Sequence, residues 1–244
     1  FIFIMNKYII AFLTVKPPKL FFEFINNLKK PNYDIYVIID DNNYEIKEIY
    51  NNINIIYINN YESEMIGFKS CVFNKNNIAC SRDKALYYFS HKVTNYDYIW
   101  LIEEDVFIPT IQTIFNIDNK YNDNKYDLLV SKHDVHYTKQ YNWLWSYVYN
   151  QTNIGLPYAS AMICAIRCSN QLIISISKYA ENNKSLFLDE TLFNTIAEHN
   201  KLNVKIISEL SNIIWKKNWK KEEINNYNLY HPIKDINIQF SYRK

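Results

Sequence analysis

The sequence predicts an α/β protein: a single domain over residues 5–244, with a mixed, mainly parallel central sheet flanked by helices. Three observations lead there. Short, fully apolar runs alternate with stretches of helical periodicity, the pattern of strands buried on both faces by crossover helices. Two acidic clusters, Asp40-Asp41 and Glu103-Glu104-Asp105, follow apolar runs directly, where open parallel sheets bind ligands. Finally, 244 residues with 48% hydrophobic and 17% aromatic content are enough to bury a core without disulfides.

Residues 8–15 are apolar throughout and end at Lys16-Pro17-Pro18, which reads as a buried strand and a turn. Residues 20–28 carry apolar side chains at helical spacing. Residues 34–39 form a second strand stopped by Asp40-Asp41, residues 45–50 a short helix, and residues 53–58 a third strand. A helix is expected over 81–93, with Ser81 as N-cap and Asp83 in its first turn. Residues 97–108 make the strongest strand, interrupted by the acidic triplet. Beyond it come a strand at 127–131, an aromatic loop at 133–149, a strand at 159–166, helices at 169–180 and 189–199, and a strand at 204–207. No repeat or flexible linker divides the chain.

Several function classes are disfavoured by composition. Only Gly67 and Gly155 are glycine, so neither a P-loop nor a dinucleotide fingerprint can be built. A net charge of +2 with no basic face points away from nucleic acid. Trp215-Lys216-Lys217-Asn218-Trp219-Lys220-Lys221 suits a solvated helix face with both Trp packed inward, or less readily a membrane-surface contact. Four cysteines, Cys71, Cys80, Cys164 and Cys168, lack the spacing of a zinc site and read as free thiols of a reducing compartment. The first apolar run is too short and too polar to span a bilayer, so a soluble, cytoplasmic protein starting at Met5 is expected. The excess of Asn, Ile, Tyr and Lys indicates an A/T-rich genome such as that of a large DNA virus, and it makes the sequons at Asn150 and Asn183 expected by chance.

Three carboxylates after a buried strand repel one another unless a cation sits among them, and hard oxygen donors suit manganese or magnesium. The segment Trp100-Leu101-Ile102-Glu103-Glu104-Asp105-Val106 thereby resembles the GT-A glycosyltransferases, whose DxD motif follows a hydrophobic strand. The resemblance covers most of the chain as an order of elements, although its motifs are short. It implies a metal ion on Asp105, assisted by Glu103 or Glu104, that bridges the diphosphate of a nucleotide sugar. It further implies a nucleotide wall at Thr14 and at Asp40 and Asp41, and diphosphate contacts from Arg82 and Lys84. Phe187-Leu188-Asp189-Glu190 would supply the base that deprotonates an acceptor hydroxyl, with Asp189 slightly preferred over Glu190. His231 would complete the metal shell and Lys234 neutralise a phosphate. Asp40-Asp41 also suits a turn, and Asp189-Glu190 a helix first turn.

His133-Asp134-Val135-His136 is a weaker metal candidate, since neighbouring strand residues face opposite ways. With Tyr137, Tyr141, Trp143 and Trp145 it reads better as an acceptor-sugar surface or as plain core. The expected halves are 5–110 for the nucleotide sugar and 111–244 for a glycan or glycoprotein acceptor, with transfer by inversion. A sugar nucleotidyltransferase is the enzymatic rival, but it would carry a glycine-rich loop where Val15-Lys16-Pro17-Pro18 stands. The other rival is a catalytically silent sugar- or nucleotide-binding module.

Overall fold

A computed structural model of the chain describes residues 6–41, 43–44, 46, 48, 50–70, 79–122, 125–139, 145, 148–149 and 151–244. Its centre is a seven-stranded sheet in the order β3-β2-β1-β4-β8-β5-β9. The strands are β1 (Tyr8–Thr14), β2 (Tyr33–Ile39), β3 (Asn54–Tyr57), β4 (Tyr98–Glu103), β5 (Leu128–Val130), β8 (Ala165–Ser169) and β9 (Val204–Ile206). All run parallel except β8, which lies antiparallel between β4 and β5. The mixed, mainly parallel sheet expected from the sequence is thus present, and it joins strands from both halves of the chain.

Alternate residues of each central strand feed two cores. Ile9, Ala11, Leu13, Ile99 and Leu101 pack on one face, against α3 (Ser81–His91), α5 (Asn170–Asn183) and α6 (Asp189–His199). Ile10, Phe12, Trp100 and Ile102 pack on the other, against α1 (Lys19–Ile25) and α4 (Thr113–Lys120). Burial on both faces is why these strands read as unbroken apolar runs. Each fully buried Ile, Leu or Phe contributes roughly 1.5–3 kcal/mol.

One polar cluster lies within the second core. Asp118 of α4 accepts hydrogen bonds from Arg167 (3.1 Å), Trp100 Nε1 (3.0 Å) and the Tyr33 hydroxyl (2.8 Å). Arg167 is fully buried and its guanidinium stacks on Tyr98. Burial drives the Asp118 carboxyl pKa up, while Arg167 and the hydrogen bonds oppose that shift.

Several local expectations are corrected. Cys80, not Ser81, occupies the N-cap of α3, and the Asp83 carboxylate accepts the Cys80 amide there. The single strand expected over 159–166 is two: β7 (Tyr158–Ser160), paired with β6 (Asp134–His136), and β8, joined by an irregular stretch that borders the cleft described below. Residues 215–220 are irregular rather than helical, with Trp215 65% exposed and only Trp219 tucked in at 9%. The helix expected over 45–50 falls partly outside the described residues, as do Met5, Cys71, Tyr141, Trp143 and Asn150.

Three of the described helices, α4, α2 (Asn60–Met65) and the C-terminal α7 (Ile236–Arg243), are not expected from the sequence. Helix α2 is N-capped by Asn59, whose side chain accepts the Tyr61 amide. It ends at Gly67, whose φ of +101° is open to glycine and strained for other residues. Among the described residues, no helix is long and apolar enough to cross a membrane.

Candidate active site

Strand order reverses between β1 and β4, which opens a crevice at their carboxyl ends. An open cleft of about 1250 Å³ lies there, lined by Glu103, Asp105, Asp189, Glu190 and His231 together with Trp215, Lys216, Lys217 and Lys234.

The acidic triplet does not converge on one point. Glu103, the last residue of β4, is held by Arg82. Glu104 turns to β1, where it accepts the hydroxyl proton of the buried Thr14. Asp105 faces His231, with Oδ1 3.4 Å from Nε2. Glu103 and Asp105 therefore line the cleft, while Thr14 and Glu104 tie β1 to the turn after β4 and lie outside its lining. The expectation that Glu104 could assist at the metal is not supported by this placement.

His231 arrives from far along the chain. It lies in the short strand β11 (Tyr230–His231), which pairs with β10 (Asn212–Ile213). Tyr230 exchanges two backbone hydrogen bonds with Phe107 (2.8 and 3.1 Å), and the Ile233 amide donates to the Asp105 carbonyl (2.8 Å). The imidazole Nδ1 sits 2.7 Å from the Ile214 carbonyl, so Nδ1 carries a proton and Nε2 is turned toward Asp105, bonding it when the ring is protonated and offering a lone pair when it is neutral. Burial lowers the imidazole pKa, but the hydrogen bond and charge of Asp105 reverse this, and the balance is raised.

Arg82 is the organising cation. Standing in the first turn of α3 and 8% exposed, it donates one guanidinium nitrogen to Glu103 and another to Asp189 at the start of α6. Burial opposes its charge, and the two carboxylates more than restore it. The Asp189 carboxylate also accepts the Glu190 amide, 2.9 Å away. Glu190 itself makes no side-chain hydrogen bond or ion pair among the described residues. Burial first, then the Asp189 charge, pushes its carboxyl up to about 7. A carboxylate with that pKa is poised to exchange a proton near neutrality. Asp189, slightly preferred from the sequence, is thus the carboxylate held by Arg82, and Glu190 is the one whose carboxyl is raised.

Lys84 is fully buried and gives its ammonium to the Asp40 carboxylate and carbonyl, both at 2.9 Å. It braces the end of β2 and does not reach the cleft, contrary to the diphosphate role expected for it. Asp41 accepts the Asn43 amide (2.9 Å) and pairs with Lys16 (3.1 Å), and both hold its carboxyl below the usual value. Asp40 and Asp41 thus sit at the carboxyl edge of β2, outside the cleft lining.

Lys234 does line the cleft, as do Lys216 and Lys217, which sequence reasoning had read as a solvated helix face. His133 bonds Glu198 (3.2 Å) and Asn194 (2.8 Å), and Asp134 pairs with Lys132, so that cluster is internally satisfied. Trp145 is core, packed on His136 and Tyr158. The aromatic groups at the cleft are instead Trp215, Trp219 and Tyr242.

No family model matches the chain, and no curated protein matches it. Two solved structures share its general arrangement. One is the 4-diphosphocytidyl-2C-methyl-D-erythritol synthase of Anaerococcus prevotii DSM 20548, at 12% identity and a TM-score of 0.42, covering 82% of this chain and 86% of that one. The other is mouse xyloside xylosyltransferase 1 in its apo form, at 8% identity and a TM-score of 0.41, covering 83% and 85%. Likeness at that level says nothing of activity, so a functional reading has to come from the cleft.

Proposed function

We propose that the chain is a metal-dependent glycosyltransferase that moves a sugar from a nucleotide-sugar donor to a hydroxyl of a glycan or glycoprotein acceptor, by inversion. The observation that carries this reading is the charge layout of the cleft. Four carboxylates, Glu103, Asp105, Asp189 and Glu190, line the cleft with Arg82 as their buried cation, and Lys216, Lys217 and Lys234 line it as well. A diphosphate with a divalent cation carries both signs and matches both parts.

The donor set fits manganese or magnesium. Asp105 offers carboxylate oxygen and His231 an Nε2 lone pair fixed by the Ile214 carbonyl, with Glu103 nearby. When bound, the ion would offset the charge that develops on the leaving diphosphate.

The chain's own residues do the rest. Glu190, ionised above about pH 7, takes the proton of the acceptor hydroxyl as that oxygen attacks the anomeric carbon. Arg82 fixes Asp189, whose negative charge helps keep the Glu190 pKa high. The Lys side chains hold phosphate charge, and the exposed ring of Trp215 offers an apolar face for a sugar. With Glu103 and Asp189 tied to Arg82 and Asp105 turned to His231, Glu190 as a single base suits inversion.

Thermal stability measured with a panel of nucleotide sugars, with and without manganese, tests the reading. Stabilisation by donors of one base, present only with manganese and lost in Asp105→Ala, is expected. A shift that Asp105→Ala leaves unchanged would remove the metal from the account.

A further inference from the structure

A third kind of donor stands at this cleft. Cys164 Sγ, a carboxylate oxygen of Glu103 and an imidazole nitrogen of His231 all lie within 4.8 Å of one another. Cys164 belongs to the irregular stretch between β7 and β8, and its carbonyl accepts the Glu103 amide at 2.9 Å. Its thiol lies beside the Glu103 carboxylate, and the residue lines the cleft. We infer that Glu103, Cys164 and His231 form a site for a thiophilic divalent cation of the zinc class, sharing only His231 with the Asp105–His231 pair.

Sulfur, nitrogen and carboxylate oxygen together are a donor set for zinc or cobalt rather than magnesium, and affinity at such a site rises steeply from manganese to zinc. Three protein ligands leave a fourth position open, the arrangement of an accessible zinc site. Tetrahedral bonds of roughly 2.0–2.3 Å would hold the donors roughly 3.3–3.6 Å apart, so they need to draw in by no more than about 1.5 Å.

The supporting contacts are already present. The backbone bond from Glu103 to Cys164 fixes two of the ligands relative to each other. The Ile214 carbonyl orients the imidazole, as outer-shell acceptors do at metal centres. Arg82 beside Glu103 opposes a cation, but Asp105, Asp189 and Glu190 line the same cleft. This site stands on side-chain geometry alone. One consequence does rest on the transferase reading: His231 belongs to both ligand sets, so zinc at this site excludes the catalytic ion.

The test is cobalt substitution of the purified full chain, followed by absorption. A thiolate-to-cobalt charge-transfer band in the near ultraviolet is expected, abolished by zinc and absent in Cys164→Ser. The band should persist in Cys80→Ser and Cys168→Ser. Cys164→Ser should also weaken zinc binding by roughly tenfold or more, at least the loss seen for outer-shell partners. Manganese binding, followed by its paramagnetic resonance signal, should stay within about twofold. A wild-type cobalt complex with no such band overturns the site, whatever the variant does. So does a folded Cys164→Ser protein with unchanged zinc affinity. Neither readout depends on turnover, so failure here leaves the transferase reading intact, and failure of that reading leaves this site intact.

Discussion

The guanidinium of Arg82 and the carboxylate of Asp189 lie 107 residues apart in the chain and meet in a nearly buried ion pair at the cleft. With Glu103 on its other nitrogen, Arg82 links the first turn of α3, the end of β4 and the start of α6. The catalytic geometry of the proposed enzyme depends on that three-way contact.

Removing the cation should therefore cost stability as well as activity. Arg82→Ala is expected to lose about 2–4 kcal/mol, less than a fully buried pair because both carboxylates retain some water. Arg82→Lys should recover little, since a point charge cannot span two carboxylates. Urea denaturation of the three proteins measures this, and a loss under about 0.5 kcal/mol for Arg82→Ala would place the pair among ordinary surface bridges.

Glu190 makes a pH prediction with a definite sign. Its carboxyl ionises at about 7 in the folded protein, against 4.5 ordinarily. Folding thus retains a proton between these values, and stability falls as pH rises from about 4.5 to 7. Asp83, raised to about 6 by burial, adds to the same slope. Glu190→Gln should remove its own share, stabilising the protein by about 1–3 kcal/mol at pH 8 and by nothing near pH 4. Denaturation across that range checks the stability change. Transfer should decline about tenfold per pH unit below 7, and Glu190→Gln should lower it by about two to four orders of magnitude.

Gly67→Ala tests the end of α2. A Cβ at that position would meet the Ala180 carbonyl oxygen of α5 at 2.1 Å, and the φ of +101° is strained for alanine. A loss of about 2 kcal/mol or more is expected, or about 4–8 °C in Tm. An unchanged melting temperature would mean that the α2–α5 contact yields freely.

Asp118→Ala addresses the opposite side of the sheet. It leaves the Arg167 guanidinium in the core without its carboxylate, along with the Trp100 and Tyr33 donors, and should cost about 3–5 kcal/mol. Asp105→Ala, at the open cleft, should unfold at nearly the wild-type denaturant concentration. Calorimetry comparing the two separates a residue kept for the fold from one kept for chemistry.

The central strands were legible because burial on both faces leaves an unbroken apolar run, as in β1, β2 and β4. The same rule misled at 159–166. Ala161, Ile163 and Cys164 are apolar through burial beside the cleft and not through strand pairing. Helix α4 was missed because Asn116, Ile117 and Asn119 are weak helix formers and Gln112 gives no side-chain cap, so packing of Ile114, Phe115 and Ile117 has to supply the stability. Helix α2 did carry a signal, Asn59 ahead of Glu62, which is hard to single out in a chain this rich in Asn.

Asp105, Asp189, Glu190 and His231, singled out by residue type and position, all line the cleft. What distinguishes Asp189 from Glu190 was not legible, because it is an ion pair with an arginine 107 residues away from Asp189. Lys84 was misassigned for a similar reason, since its buried partner is the Asp40 that ends β2. The basic stretch after Trp215 was taken for a helix because its charges suit a solvated face, yet Tyr230 and the Trp219 indole, which donates to the His231 carbonyl, anchor it along the cleft.

The most direct measurement is release of nucleoside diphosphate from a panel of nucleotide sugars by the purified chain, with manganese and with chelator. The account predicts release from donors of one base, dependent on manganese and abolished in Asp105→Ala. No release from any donor under either condition, by a protein that still binds one of them, would contradict it and leave a nucleotide-sugar-binding module in its place.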